Sequence, residues 1–461
     1  MGLSRPGDSL ICNQRGTGCG RARCGVNMQY AAGCALLMAM SFGTAWAAEA
    51  PAAGTSHPIV LHAAHLLEID TGRLVTPGEV LVEGERIAAA GSSVPRPSGA
   101  QVIDLGGGTL MPGLIDAHVH LFLHPGAEDL QTVQESVAAR TVRAILAARA
   151  DLLAGFTAER DMGTEGAGSA DTSIRDAINQ GLIPGPRLRI SGNAIDILGG
   201  HEDANRYNPA QHVLSNADYA NSAEQIVEVM REQHKQGSDF AKIYETGPDK
   251  LIQDPATGAQ LRTPYQYTAE QLTAAVTEAH RLGGVVAVHA MGEPGTLYAA
   301  QAGVASIDHA TQLSDETIRL MREKGIFAVP TFAIMEYFSK HRESQDQAAG
   351  EAALLDYKIS EFKKQVAAGV QFAVGSDVGP FPHGTQAREL ELMVQYGMKP
   401  LAVLQADMIN GAKLLGWEGQ IGQLKAGYFA DIIAVQGNPL NDISAVEHVT
   451  FVMKNGTVVR Q

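Results

Sequence analysis

Cysteine is scarce in this 461-residue chain, and its position matters more than its number. The four cysteines are Cys12, Cys19, Cys24 and Cys34, so all of them lie near the N-terminus. Beyond that point the chain contains no thiol, which excludes disulfide bonds, thiolate nucleophiles and cysteine-ligated zinc there. A catalytic metal ion would have to be held by histidine, by carboxylate or by a more unusual ligand.

Basic residues are also in the minority. Lys and Arg total 35 against 50 Asp and Glu, which gives a formal net charge of -15. Nucleic acids and anionic membranes are bound by basic surfaces, so both are poor partners for this chain. Hydrophobic residues make up 45% and charged residues 18%, a globular composition that excludes a disordered or collagen-like chain.

The apolar segment near the N-terminus is too short for a membrane span. Its core, residues 31–42, follows a positively charged stretch and falls short of the ~20 residues that a span requires. Small residues follow and end in Ala45-Trp46-Ala47. This pattern predicts a secretory signal peptide over residues 1–47, cleavage near Ala47, and a secreted, periplasmic protein. A buried N-terminal helix is the alternative, and Met28 is a second candidate for the true start.

Short β-strands are predicted at both ends of the remaining chain. Residues 48–109 and 418–461 alternate apolar and polar side chains, with Gly and Pro between the runs. Asn455-Gly456 in the second segment is typical of a hairpin turn. We expect the two segments to pair into one small β-sandwich.

Residues 110–417 alternate strand-like and helical segments. Ser222 and Thr268, each with Gln three positions on, fit capping boxes at helix starts. The order predicts an α/β fold with a (β/α)8 TIM barrel, whereas a doubly wound open sheet is less favoured because no G-x-G-x-x-G opens a first helix. The candidate strands are Leu110–His118, Phe156–Arg160, Leu188–Ser191, Phe240–Tyr244, Val285–His289, Ala305–His309, Phe327–Pro330 and Phe372–Ser376.

Polar residues follow four of these apolar strands. His118 and His120 end the first and point to the same side, because side chains alternate along a strand. His289, His309 and Asp377 end three later strands. Each alone has an ordinary explanation, such as a hydrogen-bonded histidine or a helix-capping Asp. In a (β/α)8 barrel, however, the C-terminal strand ends converge on one site, and imidazole with carboxylate suits Zn, Fe, Ni or Mn, with zinc as the default.

Lys242 is the unusual residue of the fourth strand. It lies in the otherwise apolar run Phe240–Tyr244, and burying an ammonium is costly unless it is neutralised or paired. One explanation is an ion pair with a neighbouring carboxylate. The other is reaction of the amine with CO2, which gives an anionic carbamate with two oxygens able to bridge two cations.

The segment Pro112–His120, with the sequence PGLIDAHVH, resembles the first-strand motif of the amidohydrolase superfamily of binuclear metal type. The resemblance extends over residues 59–461. It implies that His118 and His120 bind one divalent metal ion together with Asp377, that His289 and His309 bind a second, and that carboxylated Lys242 bridges the two. It also implies a metal-bridging hydroxide, with Asp377 as the catalytic general acid and base.

Finer features resemble dipeptidases of the prolidase and Xaa-Arg type and ochratoxin-amidase-like members, in the imidazolonepropionase-like neighbourhood. They surround His201, Tyr244 and His383, which we predict to contact substrate. The resemblance implies hydrolysis of amide bonds in dipeptides or N-acyl amino acids. Hydrolysis of a cyclic amide, lactone or ester, and a non-catalytic binding barrel, remain alternatives. Homo-oligomer formation is left open.

Two long polar segments, residues 203–220 and 245–267, exceed the roughly six residues usual between elements. Such segments at a barrel mouth often cover the substrate, although they also serve as contacts between subunits. We predict that they shape the choice of substrate.

Overall fold

The computed structural model describes residues 57–203, 207–208, 210–247, 249–254, 258–342 and 344–461. Within these ranges the chain has a mixed α/β fold, as the sequence predicts. The proposed signal peptide and all four cysteines lie outside the described residues. In the described part of the chain no helix is both long and apolar enough to cross a membrane.

The strands fall into two terminal groups and a central series. They are β1 (Ile59–Ala63), β2 (His65–Glu68), β3 (Arg73–Val75), β4 (Gly78–Glu83), β5 (Arg86–Gly91), β6 (Gln101–Asp104), β7 (Gly108–Pro112), β8 (Leu114–Val119), β9 (Phe156–Asp161), β10 (Arg187–Ile190), β11 (Ala194–Asp196), β12 (Ala217–Tyr219), β13 (Ala241–Tyr244), β14 (Lys250–Asp254), β15 (Gly258–Arg262), β16 (Val286–Ala290), β17 (Ser306–His309), β18 (Phe327–Val329), β19 (Ile432–Gln436), β20 (Val449–Lys454) and β21 (Thr457–Arg460).

Helices separate the central strands. They are α1 (Glu128–Gln134), α2 (Val137–Leu153), α3 (Ala170–Asn179), α4 (Ala223–Lys235), α5 (Ala269–Leu282), α6 (Gly295–Ala302), α7 (Asp315–Lys324), α8 (Phe332–His341), α9 (Gln345–Ala367), α10 (Arg388–Gln395), α11 (Pro400–Gln405) and α12 (Gly411–Leu414). A π-helical turn covers Ala406–Asn410 and a 3-10 turn covers Ile443–Glu447.

Two sheets bring the ends of the described chain together. One has the strand order β5-β4-β1-β6 and the other β21-β20-β19-β7-β2-β3, so strands from both ends lie side by side. Antiparallel pairing of β7 with β19 makes that connection. Buried side chains of both sheets, including Leu61, Val80, Leu110 and Phe451, belong to one apolar cluster, which holds the sheets together.

Parallel strands form the central part. The order β10-β9-β8 makes one sheet and β12-β11-β13-β16-β17-β18 another. The extended segment 371–378 lies between them, because Ala328 exchanges hydrogen bonds with it on one side and Val119 forms a parallel bridge with Val378 on the other. The main-chain nitrogen of Asp239, just before β13, donates to Ile190 at the end of β10.

The predicted first strand, Leu110–His118, is two strands in two different sheets, so that prediction is wrong. β7 pairs with β19, β8 pairs with β9, and Gly113 separates them. A Cβ atom on Gly113 would lie 2.0 Å from the Thr157 hydroxyl, so only glycine permits this change of sheet. β7 also runs across position 109/110, where we placed a domain boundary.

The predicted eighth strand, Phe372–Ser376, does not form a regular strand either. Only isolated bridges at Phe372 and Val378 mark it in the described chain. Gly375 passes close to its neighbours there, since an added Cβ would approach the Val329 side chain at 2.4 Å. The segment nevertheless carries Asp377 to the end of β8, where the Asp377 nitrogen donates to the His118 oxygen over 2.8 Å.

One of the two predicted capping boxes forms completely, and the other forms only in part. Thr268 makes the full capping box with Gln271 at the start of α5. Ser222 accepts from the Gln225 nitrogen at the start of α4, but the Gln225 side chain accepts from Asn221 instead. The two long segments contain structure of their own, namely β12 and the antiparallel hairpin β14–β15.

Candidate metal centre

Two histidines and a carboxylate meet at the end of β8. The His118 and His120 ring centroids lie 5.3 Å apart. Asp377 Oδ1 lies 3.5 Å from His118 Nε2 and 3.3 Å from His120 Nε2. The first-strand pair and the carboxylate of segment 371–378 therefore share one small volume, with ligand atoms within 4.8 Å of one another.

Two further histidines continue this group from the neighbouring strands. His289 on β16 and His309 on β17 have ring centroids 4.3 Å apart, and the His309 ring lies 5.1 Å from that of His118. The parallel register aligns the ends of β16 and β17, because His289 pairs with Asp308 and Ala290 with His309. All four histidines are largely buried.

Lys242 is fully buried on β13, next to the strand that carries His289. Its Nζ has no hydrogen-bond partner among the residues that the structure describes. Burial lowers the pKa of this amine, since the charged form is poorly solvated. The nearby lysine charge in turn helps to lower the pKa values of His118, His289 and His309.

Burial and the surrounding charges set the protonation of the donor set. Burial lowers the pKa of His120, but Asp377 and Glu165 outweigh it and leave that pKa well above its usual value, unlike those of the other three histidines. Burial lowers the pKa of His118 to about 4 and those of His289 and His309 well below the usual value, so these three rings are neutral near pH 7. Burial raises the pKa of Asp377, but His118 and His120 outweigh it and leave a lowered pKa. Neutral imidazoles beside an ionised carboxylate are suitable ligands for a divalent cation.

Oxygen atoms hold the far side of three of the rings. His118 Nδ1 lies 3.1 Å from Asp308 Oδ1, and His309 Nδ1 lies 2.8 Å from the Thr331 hydroxyl. Glu165 Oε1 lies 3.1 Å from His120 Nδ1. Such contacts orient an imidazole and leave its other nitrogen for a metal ion.

Backbone strain is concentrated at the same place. Positive φ angles occur at Glu165, His309, Thr331 and Asp377, with values of 51°, 69°, 52° and 62°. Residues other than glycine adopt this region only at a cost of order 1–3 kcal/mol, and such strain clusters at functional sites. Two of these residues, His309 and Asp377, belong to the centre, and the other two, Glu165 and Thr331, contact its histidines.

Of the three predicted substrate contacts, two lie beside His289 and the third contacts helix α2. The His201 ring stacks on Tyr244 with centroids 4.9 Å apart, and it lies 4.3 Å from the His289 ring. These two residues therefore flank the centre. The His383 Nδ1 atom lies 2.7 Å from Asp151 of α2, a contact that sequence reasoning did not predict.

Sequence reasoning missed several partners of the predicted ligands. Asp308 precedes His309 on β17, and its carboxylate also accepts from Arg160 over 2.9 Å. Asp249 lies in the segment 245–267 and forms a possible ligand group with His201 and His289. A carboxylate beside a predicted ligand was a usable signal for Asp308, whereas nothing in the sequence distinguishes Asp249 from other loop carboxylates.

Unsatisfied polar atoms test whether this group fits metal ions. His118 Nε2, His289 Nε2 and Lys242 Nζ are all buried without a hydrogen-bond partner in the described chain. Leaving such atoms unsatisfied typically costs about 1–3 kcal/mol each. A cation would satisfy His118 Nε2, and a carboxylated Lys242 would add anionic oxygen. The residues fit a metal centre.

The model of the Amidohydrolase family matches residues 109–459, and the chain belongs to that family.

Similar proteins include hydrolases. Ochratoxinase from Aspergillus niger is 31% identical over 379 residues, which cover 76% of this chain and 75% of that protein. Imidazolonepropionase from Geobacillus sp. (strain WCH70) is 25% identical, covering 84% and 91%. The crystal structure of a Xaa-Pro dipeptidase with bound methionine in the active site superposes with a TM-score of 0.78 and 30% identity, covering 88% and 100%.

Proposed function

We propose that this protein is a metal-dependent amidohydrolase that cleaves an amide bond in a dipeptide or an N-acyl amino acid. The observation that carries the proposal is the meeting of His118, His120, His289, His309 and Asp377 around one centre. Membership of the amidohydrolase family supports it, as do the names of an ochratoxinase and a Xaa-Pro dipeptidase among similar proteins.

The proposed architecture is a (β/α)8 barrel with a small β-sandwich. The two parallel sheets, the segment 371–378 between them and the hydrogen bond from Asp239 to Ile190 support the barrel. The apolar cluster shared by the two terminal sheets supports the sandwich. In such a barrel the C-terminal strand ends form the active site.

Two divalent cations, with zinc as the first candidate, are assigned to this centre. His118, His120 and Asp377 would hold one, His289 and His309 the other, and Lys242 would bridge them as a carbamate. Such ions supply a water molecule of lowered pKa and polarise the carbonyl group that is attacked.

The chain's own groups complete the chemistry. Asp377, which stays ionised because its pKa is lowered, would act as general base toward water and then as general acid toward the leaving amine. Tyr244 and His201, stacked beside His289, orient the substrate from one side. Asp308 and Thr331 hold the rings of His118 and His309 in the productive orientation.

Hydrolysis of a cyclic amide, lactone or ester on the same site is the second candidate, since imidazolonepropionase is among the similar proteins. We also propose that the protein is secreted to the periplasm, as the pattern of residues 1–47 predicts.

Metal content and substrate choice test the proposal together. Purified protein should contain two equivalents of metal per chain by elemental analysis, and His289→Ala should retain one. A panel of dipeptides, N-acyl amino acids, lactones and cyclic amides, read by product release, should show amide cleavage that chelation abolishes and zinc restores. A fully active protein with a single equivalent would contradict the binuclear assignment, and metal-free activity would contradict the function.

A further inference from the structure

The hairpin β14–β15 is attached to the candidate metal centre through His289. The main-chain nitrogen of Glu245 donates to the His289 oxygen over 2.9 Å, and Thr246 bridges to Tyr265 at the base of the hairpin. Gln266, just after the hairpin, donates to the Tyr244 oxygen over 2.6 Å. The base of the hairpin is therefore held by the strands that carry Lys242 and His289.

Asp249 lies directly before β14 and faces the His289 ring. Its Oδ2 lies 3.9 Å from His289 Nε2, and both side chains are largely buried. Asp249 Oδ1 and His289 Nε2 each lack a hydrogen-bond partner in the ranges that the structure describes. The Asp249 carboxylate and the His289 ring are thus buried polar groups of complementary chemistry, and their nearest atoms, Oδ2 and Nε2, lie 3.9 Å apart, about 0.7 Å beyond the usual hydrogen-bond range.

In the other three histidine rings of the centre, a neighbouring oxygen lies beside one ring nitrogen and leaves the other for a cation. His118, His120 and His309 each have an oxygen beside Nδ1, supplied by Asp308, Glu165 and Thr331. His289 differs, because the nearest carboxylate oxygen lies on the Nε2 side, 3.9 Å away, and comes from Asp249, directly before the hairpin. Its other ring nitrogen, Nδ1, is then the one available to a cation.

We infer that Asp249 is a positioning residue that holds the His289 ring through Nε2 and so presents Nδ1 to the second cation. The inference rests on the proposed function. Closure of the 3.9 Å gap to a hydrogen bond fixes the tautomer and makes the imidazole a stronger donor. The hairpin thereby becomes part of the metal site, although it supplies no ligand itself.

The rate of metal release tests this role without a measurement of activity. Zinc-loaded protein is mixed with an excess of a chromogenic chelator, and the release of the two equivalents is followed in time. Asp249→Asn should accelerate the release of one equivalent about 10–100-fold and leave the other unchanged. Asp249→Glu, which retains the carboxylate, should stay within a few-fold of the wild type.

Two further variants separate positioning from a general loosening of the hairpin. Arg262→Ala changes an exposed residue on β15 and should release both equivalents at the wild-type rates. In a His289→Ala background, which holds one equivalent under the proposed function, Asp249→Asn should have no further effect, because its target is gone.

The results distinguish failure of the positioning role from failure of the proposed function. Unchanged release from Asp249→Asn, or the same acceleration in the His289→Ala background, overturns the positioning role while the proposed function stands. A wild-type protein that binds fewer than two equivalents overturns the proposed function, and this inference with it.

Discussion

At the residue scale, the burial of Lys242 makes both the protonated and the neutral amine unfavourable beside two cations. Its amine is fully buried and lacks a hydrogen-bond partner among the described residues, and its strand β13 pairs with β16, which carries His289. A protonated amine at this position would repel two cations, and a neutral one offers a single nitrogen. A carbamate removes both difficulties, because it is anionic and has two oxygens.

We expect Lys242→Ala to lose metal and activity together, by about 100-fold or more. Acetate or propionate should restore part of both, since a small carboxylate replaces the missing bridge in the space that the side chain leaves. Lys242→Arg should not be active, because guanidinium stays charged and does not react with CO2. The measurement is metal content and amide hydrolysis with increasing acetate.

His289→Ala is the matched control for this rescue, since acetate does not replace an imidazole at a different position. Near-normal metal content and activity in Lys242→Arg would show that the lysine is an ion-pair residue, and the bridging role would be wrong.

A second prediction at the residue scale concerns Glu245. The side chain is fully buried, and burial raises its pKa to about 9. A raised pKa contributes stability that is complete below the unfolded pKa of 4.5 and is lost as the pH rises toward 9, at about 1.4 kcal/mol per pH unit. Glu245→Gln does not titrate, so its melting temperature relative to wild type should rise steadily between pH 5 and pH 8.5.

The control for this titration is Glu85→Gln, at an exposed position between β4 and β5. Its difference from the wild type should stay flat over the same range. A constant difference for Glu245→Gln would mean that the carboxyl is already ionised in the folded protein.

At the scale of elements, the strands predicted correctly are those whose sequence signal lies within their own residues. Strands β13, β16 and β17 lie close to the sequence predictions, because each is a short, fully buried run whose signal lies within its own residues. Phe372–Ser376 was wrongly predicted as a regular strand, because the hydrogen bonds and bridges of this segment depend on Ala328 and Val119 rather than on its own residues. Asp249 was missed for the same reason, since only tertiary contacts bring it to His289.

Gly113 is the element boundary that the sequence did not reveal, and its substitution is predicted to be costly. A Cβ atom there would overlap the Thr157 side chain, so Gly113→Ala should destabilise the fold by about 1–3 kcal/mol. Thr157→Ala in the same chain should recover part of that loss, because it removes the two closest atoms. Thermal or denaturant unfolding measures both effects.

Gly107→Ala is the matched control, since a Cβ there meets no described atom within 4 Å. It should leave stability nearly unchanged. If Gly113→Ala were equally harmless, the close approach of β7 and β8 to Thr157 would not be a constraint on the fold.

At the scale of the whole molecule, the family assignment and the site agree, although they rest on different observations. The family model spans residues 109–459, whereas the metal centre is argued from a few strand ends. The mixed α/β class was predictable because alternating patterns extend over the chain, and periodicity survives local errors. The pairing of β7 with β19 was foreseen only in outline, since its register depends on contacts between residues over 300 positions apart.

The last prediction is that the chain is exported and that its signal peptide is cleaved. Signal peptidases require small residues at the first and third positions before the cut, which Ala45 and Ala47 supply. N-terminal sequencing of periplasmic protein should therefore begin at Ala48 or Glu49. Replacing Ala47 by Arg should leave an uncleaved precursor, whereas Trp46→Leu, at the tolerant middle position, should be processed normally. Periplasmic protein that begins at Met1 or Met28 would contradict the prediction, because an intact leader shows that the segment is retained as part of the protein.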